Sequence, residues 1–430
     1  MLGAFVNAFR TPDLRRKLLF VIGIIVIFRV GSQLPSPGVN VANVRECVSQ
    51  VENDGIYGLV NLFSGGALLQ LTVFALGIMP YITASIILQL LVVVIPRLEA
   101  LKNEGQAGQT KITQYTRYLT LALAILQATG IVALARAGQL LQCDQDLLYK
   151  NNIQTMIIMV VTMTAGTAVI MWLGELITDR GIGNGMSILI FTQVVATFPA
   201  SLWALQQRKG WGVFAMVVVI GLIIMAAVIF MEQGQRRIPV QYAKRMVGRR
   251  MYGGSSTYIP LKVNQAGIIP VIFASSLLYL PALATQFDRS QTSPITQWIG
   301  GHLVKGDHPI YMLIFFGLIV FFTYFYVAIT FNPVEVADNM KKYGGFIPGI
   351  RAGKPTEEYL NYVLSRITLP GATYLGLIAL IPLIALAVVG ANQNFPFGGT
   401  SILIMVGVAL DTVKQIESQL QQRNYEGFLR

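Results

Sequence analysis

Long apolar runs alternate with short polar segments along the whole chain. Ten of these runs come close to the ~20 residues that an α-helix needs to cross the hydrocarbon core of a bilayer. The pattern therefore predicts an all-α polytopic membrane protein with ten transmembrane helices. The predicted spans are Leu18–Leu34, Leu71–Ile95, Tyr118–Ala135, Met156–Leu176, Met186–Leu205, Val213–Met231, Gly267–Ala284, Ile310–Phe331, Ala372–Val389 and Thr400–Val413.

The stretch 58–94 departs from a simple transmembrane helix. It begins with a polar pair and two glycines in Asn61–Gly66, and Gly77 and Pro80 interrupt the apolar run that follows. Broken helices persist at membrane depth only where protein or a water-filled cavity satisfies the freed backbone groups. We therefore expect a short separable segment at about 58–69, followed by a full span.

The composition agrees with a membrane protein. Of 430 residues, 54% are hydrophobic and 12% charged, whereas a soluble domain has about 25% charged residues. The net charge of +12 would point to nucleic acid in a soluble protein. In a membrane protein it first reflects the loop charges that set the topology.

Lysine and arginine are distributed unevenly between the two sets of loops. With the amino terminus inside, the inside segments carry 24 of these residues and the outside loops carry 7, while Arg29 lies within the first span. Because cytoplasmic loops are enriched in Lys and Arg, we expect both termini in the cytoplasm. Cys47 and Cys143 then fall in outside loops, which leaves a disulfide between them open.

Two inside segments are candidates for binding. Residues 234–262 carry seven basic residues and no acidic one, interleaved with β-type residues, so a protruding hairpin is expected. Topology alone could account for the charge, but its density favours a docking surface for a polyanion or an acidic partner. Residues 332–366 contain GGFIPGIRAG, a tight tip presenting Arg351, for which docking and an ordinary loop remain equally open.

Motifs for catalysis and for ATP binding are absent from the sequence. There is no H-E-x-x-H and no G-x-x-x-x-G-K-[ST], and no metal or cofactor site is indicated. Glu175, Glu232 and Asp411 lie toward the cytoplasmic ends of their spans, whereas ion-coupled transporters usually place carboxylates at mid-membrane. The sequence thus favours a passive pore over a small-solute transporter or an intramembrane enzyme.

Eight short motifs occur in order from the first span to the tenth. They are NLFSGGAL at Asn61–Leu68, FALGIMPYI at Phe74–Ile82, MWLGE at Met171–Glu175, RGIGNG at Arg180–Gly185, GQRR at Gly234–Arg237, PLKVN at Pro260–Asn264, FIPGIR at Phe346–Arg351 and FGGTS at Phe397–Ser401. Together they resemble the bacterial SecY family, the channel subunits of the general protein translocase.

The resemblance implies an hourglass pore made of two inverted five-helix halves, 1–205 and 206–430, with docking loops at 234–262 and 332–366. It implies a re-entrant plug at about 58–69, including Asn61, Leu62, Phe63, Ser64, Gly65 and Gly66. It also implies a ring of apolar side chains at the constriction, formed by Ile78, Ile82, Met186, Ile190, Ile272 and Ile404. A narrow apolar ring dewets and blocks ions when it is empty.

The same resemblance implies a lateral gate and a set of partners. Gln127 and Asn264 would lie at the gate, between the second and third spans on one side and the seventh and eighth on the other. The basic loops would dock the SecA motor and ribosomes through Arg236, Arg237, Lys244, Arg245, Arg249, Arg250 and Arg351. The remaining implied partners are SecE, SecG, SecDF, YidC, preproteins with signal sequences, and the lipids of a bacterial cytoplasmic membrane. The chain would have no catalytic residues and would take its energy from SecA, the ribosome and the proton motive force.

Overall fold

A computed structural model of the chain describes residues 9, 11–51, 67–68, 70–136, 147–149, 152–242, 245–247, 250–252, 256–287, 294–303, 308–389 and 399–428. These residues are mostly helical. The helices are α1 Pro12–Gly31, α2 Val41–Val51, α3 Met79–Val94, α4 Pro96–Asn103, α5 Gln106–Arg136, α6 Ile153–Arg180, α7 Gly185–Gln233, α8 Ile269–Phe287, α9 Pro294–His302, α10 Pro309–Thr330, α11 Pro333–Lys342, α12 Lys354–Val389 and α13 Gly399–Phe428. The strands are β1 Gln235–Tyr242, β2 Arg245–Val247, β3 Arg250–Tyr252, β4 Ser256–Lys262 and β5 Gly345–Phe346.

Each of the ten predicted spans overlaps a helix. By length and hydropathy, five helices among the described residues could cross a membrane, or six if α3 and α4, which are bent by 99° at their junction, count as one span. The fifth and sixth spans lie on the single element α7, which is interrupted at Gly210, where φ is 80° and ψ is 175°. This break falls close to the predicted division between residues 205 and 206.

The helix of the second span begins at Met79, later than the predicted Leu71. The residues before it form turns, with positive φ at Leu71 (48°) and at Gly77 (56°). Pro80 lies in the first turn of α3, where its missing N–H removes no helical hydrogen bond. Pro80 therefore lies at the start of this helix, and the predicted span Leu71–Ile95 is helical only from Met79.

The two inside segments form one unit. β1 pairs antiparallel with β4, from Gln235 opposite Lys262 to Gln241 opposite Ser256, which confirms the predicted hairpin. β5, from the second segment, pairs with the other edge of β1, with Gln241 opposite Phe346. The sequence reasoning treated these segments separately, whereas backbone hydrogen bonds join them in a three-stranded sheet.

A small apolar core, the sheet core, lies beneath this sheet. Ile238 and Val240 alternate with exposed residues along β1, so the period of two in a strand places them on one face. They pack with residues that follow β5 and with residues of α10, α11 and α12. The buried members are Ile238, Val240, Leu261, Ala266, Val327, Met340, Ile347, Leu360, Val363 and Leu364.

Three larger apolar clusters pack the other helices. The buried residues of the first all lie between Val39 and Met163, and those of the second all lie between Val217 and Leu410. The third, the ring cluster, joins α1, the turn before α3, α6 and the first part of α7 to α13. Its buried members are Val21, Ile24, Phe28, Phe74, Ile78, Ile170, Leu173, Ile177, Ile188, Leu189, Ile190, Val194, Ile404 and Val408.

Candidate functional site

The structure brings together five of the six predicted ring residues. Ile78, Ile190 and Ile404 are buried members of the ring cluster, with 0%, 5% and 0% of their surfaces exposed. Ile82 and Met186 pack against the same cluster. The sixth, Ile272 on α8, is buried but lies outside the cluster. Three helices that are distant in sequence thus contribute to one apolar contact region.

Close packing between α6 and α7 fixes the position of Met186 and Ile190. A Cβ on Gly185 would lie 1.9 Å from the Gly174 carbonyl oxygen, and a Cβ on Gly174 would lie 2.4 Å from the Met186 sulfur. The contact at Gly185 is with backbone that cannot move aside, so the two helices approach this closely because Gly185 has no side chain, whereas at Gly174 the flexible Met186 side chain would have to shift. The Asn184 side-chain oxygen caps α7 by accepting the Met186 N–H at 3.1 Å.

The turn before α3 is held in a similar way. A Cβ on Gly31 would lie 2.1 Å from the Phe74 ring, and a Cβ on Gly166 would lie 2.1 Å from the Val73 carbonyl oxygen. Phe74 also stacks on Phe28, with ring centroids 5.8 Å apart. These contacts hold the turn against α1 and α6 and so determine where α3 begins.

The chemistry of the ring cluster follows from its composition. The side chains that form this cluster are apolar and offer neither a charge nor a hydrogen bond, although Thr192 and Gln193 are buried on the same part of α7. A narrow passage lined in this way dewets when it is empty and therefore blocks ions. The same aliphatic side chains can pack around an extended polypeptide without favouring one amino-acid sequence over another. A role of the ring cluster as a seal remains a prediction.

The two predicted gate residues lie in different surroundings. Asn264 is only 3% exposed, and its side-chain nitrogen donates to Glu232 Oε1 at 2.5 Å and to the Gly267 carbonyl at 3.2 Å. Gln127 is half-buried on α5 and makes no hydrogen bond to Asn264 within the described residues. Sequence reasoning missed Glu232 as the partner of Asn264. The gating role of both residues remains a prediction.

Exposed basic residues lie on the sheet above the sheet core. Arg236 and Arg237 are exposed on β1, and the Arg237 guanidinium carbon lies 4.8 Å from the centre of the Tyr258 ring. Tyr258 is itself 47% exposed. The pair presents a positive charge beside an aromatic face, the combination found in cation–π contacts. Docking of an anionic partner on this surface remains a prediction.

Arg351 lies at the tip of the second basic segment. Its side chain is exposed, while its carbonyl oxygen accepts a hydrogen bond from Thr356 Oγ1 at 2.8 Å. Gly349 and Gly353 have positive φ values of 85° and 106°, which glycine adopts without the steric cost of a side chain. Ile347 is buried in the sheet core just before the tip. The tip is therefore fixed at its base and presents its arginine outward.

Part of the predicted site lies outside the described residues. This holds for the plug residues Asn61, Leu62, Phe63, Ser64, Gly65 and Gly66, and for the docking residues Lys244 and Arg249. Of the plug segment, Ala67 and Leu68 are described, and both are buried. Arg245 and Arg250 lie on β2 and β3, which pair antiparallel with one another.

Comparison with known proteins decides the family. A family model described as SecY matches residues 72–413. The chain belongs to the SecY family. It is 69% identical over 438 residues to the protein translocase subunit SecY of Streptomyces galbus, and 62% identical over 441 residues to that of Mycobacterium bovis. Both alignments cover 100% of this chain and 100% of the relative.

Solved channel structures share this SecY-family fold. One described as a protein-conducting channel has a TM-score of 0.65 at 19% identity and covers 94% of this chain and 91% of its own. A channel from a canine ribosome–channel complex of the endoplasmic reticulum has a TM-score of 0.63 at 18% identity, with the same coverage of both chains. These matches confirm the predicted all-α polytopic membrane fold.

The sheet core allows a test of whether the two basic segments of this SecY-family chain form one unit. Leu261 is fully buried there, and a buried Leu→Ala change costs about 2–5 kcal/mol. We expect Leu261→Ala to raise the rate of limited proteolysis in 234–262 and in 332–366 together. Leu369→Ala, at a position that is 56% exposed, should leave both rates unchanged. Faster cleavage in the first segment alone would show that the segments are independent.

Proposed function

We propose that this chain is the protein-conducting channel of a general secretory translocase in a bacterial cytoplasmic membrane. It passes unfolded preproteins outward and releases transmembrane segments sideways into the bilayer. The ring cluster carries this proposal, because apolar side chains from α3, α7 and α13 pack into one cluster. Full-length relatives named protein translocase subunit SecY, at 62% and 69% identity, support it.

The proposed channel has two halves, 1–205 and 206–430, hinged between the fifth and sixth spans. The first and second apolar clusters support this division, since the buried residues of each come from one half only. The break in α7 at Gly210 lies at the junction. Ile404 and Val408 of α13 complete the ring cluster from the second half, so separation of the halves would open the ring.

The plug and the lateral gate complete the proposed closed state. The segment 58–69 rests on the outside of the ring, and Gln127 and Asn264 lie along the seam through which a signal sequence leaves. Burial of Ala67 and Leu68 supports a plug that packs within the protein. A structure with a TM-score of 0.62 comes from work describing how the plug domain of SecY stabilises the closed state of that channel.

Energy and partners come from outside this chain in the proposed mechanism. SecA and ribosomes dock on the exposed basic surface of β1 and on Arg351, and SecA, the ribosome and the proton motive force drive transport. SecE clamps the two halves, with SecG, SecDF and YidC as further partners. Both termini lie in the cytoplasm, which the distribution of 24 basic residues inside and 7 outside supports.

Crosslinking tests the channel function directly. In a background without Cys47 and Cys143, Ile82→Cys should form a disulfide with a single cysteine in a preprotein stalled in transit. Val26→Cys, at a position that is 55% exposed on α1, should not. Crosslinks confined to the cytoplasmic segments would mean that the preprotein docks without passing. Uptake of a small solute by the purified protein alone would favour a transporter instead.

A further inference from the structure

Gln193 on α7 is a buried polar residue that an apolar ring does not explain. It is 0% exposed, and within the part of the chain that the structure describes neither its side-chain nitrogen nor its oxygen has a hydrogen-bond partner. Buried amides nearly always find partners, because an unpaired one loses hydration without compensation. Thr192 beside it shows the usual solution, since its hydroxyl donates to the Ile188 carbonyl at 2.9 Å.

The position of Gln193 on α7 relates it to the ring. Given the rise and rotation of an α-helix, Gln193 lies about 4.5 Å beyond Ile190 and about 60° around the axis from it. Val195, which is 37% exposed, lies about 200° from Gln193, so the amide faces away from the exposed side of the helix. Leu189, one turn earlier, is a buried member of the ring cluster. Val194, the next residue, is also a buried member, so Gln193 lies within the stretch of α7 that the cluster covers, beyond Ile190 toward the proposed outer side.

A second unpaired group has the same relation to a ring position on another helix. Ser276 follows Ile272 by about one turn of α8, and its buried hydroxyl oxygen has no partner among the described residues. The nearest helical acceptor, the Ile272 carbonyl, already accepts a hydrogen bond from Ser275 at 2.9 Å. Two ring helices thus each place an unused hydrogen-bonding group just beyond a ring residue.

We propose that Gln193 hydrogen-bonds the backbone of the polypeptide that passes through the ring, an inference that rests on the proposed channel function. An extended chain inside an apolar constriction has peptide N–H and C=O groups with no partner. A carboxamide has both donors and an acceptor, so it can pair with either group whatever side chains the passing chain carries. The ring supplies apolar packing, and Gln193 supplies the first polar contact on the outer side.

The unpaired state of Gln193 is also a property of the closed ring. With the ring packed, the Gln193 amide has no hydrogen-bond partner among the described residues; once a chain separates the helices, peptide groups of that chain become available. Gln193 therefore gains backbone partners in the open, occupied state. The residue lowers the energy of that state relative to the closed one without recognising any particular amino-acid sequence.

Translocation kinetics test this role in the assembled translocase with its motor. Gln193→Met keeps an unbranched side chain but removes hydrogen bonding, so the initial rate should fall about two- to tenfold, the factor that one net hydrogen bond represents. The decrease should be equal for preproteins of different composition, because all share the same backbone. Thr192→Val is the matched control: it removes a buried hydroxyl that is already paired and should leave the rate unchanged.

Unchanged translocation rates for Gln193→Met would overturn the proposal. They would show that the Gln193 amide makes no hydrogen bond to the passing polypeptide that affects transport. A decrease confined to one preprotein would also overturn it, since that result indicates side-chain recognition. Cysteine variants separate this proposal from the channel function. A stalled chain that crosslinks to both Ile190→Cys and Gln193→Cys supports both. Crosslinking to Ile190→Cys alone removes the role of Gln193, and crosslinking to neither removes the channel function itself.

Discussion

Replacing Ile404 with asparagine should make the resting channel conduct ions. Ile404 is fully buried in the ring cluster, so Ile404→Asn places an amide without a partner inside an apolar seal. Such an amide costs about 1–3 kcal/mol, which shifts the equilibrium from closed to open by roughly 5- to 150-fold. Purified protein in a planar bilayer, without motor or preprotein, should show ion conductance raised by that factor. Preproteins with defective signal sequences should also pass more readily.

Ile402 provides a matched control for this substitution. It is equally buried and lies on the same helix, but it belongs to the second apolar cluster and not to the ring cluster. Ile402→Asn should therefore lower thermal stability to a similar extent, while the ion conductance of the bilayer stays at the level of the unsubstituted protein. Equal conductance from the two variants would indicate general loosening of α13. If the Ile404→Asn protein is folded and its ion conductance is not raised, Ile404 is not part of the constriction.

The membrane helices were predictable because hydrocarbon imposes one strong rule on sequence. A spanning segment must be apolar over its whole length and must satisfy its backbone groups internally. Each of the ten spans predicted from apolar runs therefore overlaps a helix, and five or six of the described helices are long and apolar enough to cross a membrane. Helix boundaries follow weaker, local effects. The second span begins at Met79 because glycine contacts at Gly31 and Gly166 hold the preceding turn in place, and such tertiary contacts leave no signal in hydropathy.

The site was predictable only where its residues carry motif information. Family resemblance placed Ile78, Ile190 and Ile404 in one list, and the structure packs them into one cluster. It did not indicate that Asn264 pairs with Glu232 or that β5 joins β1, because each contact links segments that are distant along the chain. Contacts of this kind depend on how helices and strands are arranged, which periodicity and composition do not encode.

Gln193 shows why a polar residue in a span is difficult to interpret from sequence. In the sequence it is one of several residues that dilute the fifth span, and its role cannot be separated from that of neighbouring threonines. The structure separates them, because the Thr192 hydroxyl is paired within its own helix while the Gln193 amide is buried with no partner among the described residues. Ile404→Asn and Gln193→Met therefore test the same seal in opposite directions: the first adds an unpaired amide and favours opening, and the second removes one and favours closure.

Reversing the charge of Arg351 should reduce motor-driven export while the protein stays folded in the membrane. The tip is held by the sheet core and by the hydrogen bond from Thr356 to the Arg351 carbonyl, so Arg351→Glu changes the charge presented and not the backbone. Loss of an attraction and gain of a repulsion at an exposed contact slow association. We expect the rate of translocation driven by SecA to fall about tenfold, which corresponds to about 1.4 kcal/mol of binding free energy.

Lys111→Glu is the control that separates docking at the tip from the effect of net charge. Lys111 lies on the same proposed side of the membrane and is 59% exposed, and its ion pair with Glu104, at 4.0 Å, is too exposed to matter for stability. The substitution changes the total charge by the same amount as Arg351→Glu, but outside both basic segments. Export at the normal rate by Lys111→Glu and at a reduced rate by Arg351→Glu would locate the contact at the tip. An equal reduction in both would attribute the effect to charge alone, and normal export by both at matched expression would exclude Arg351 from docking.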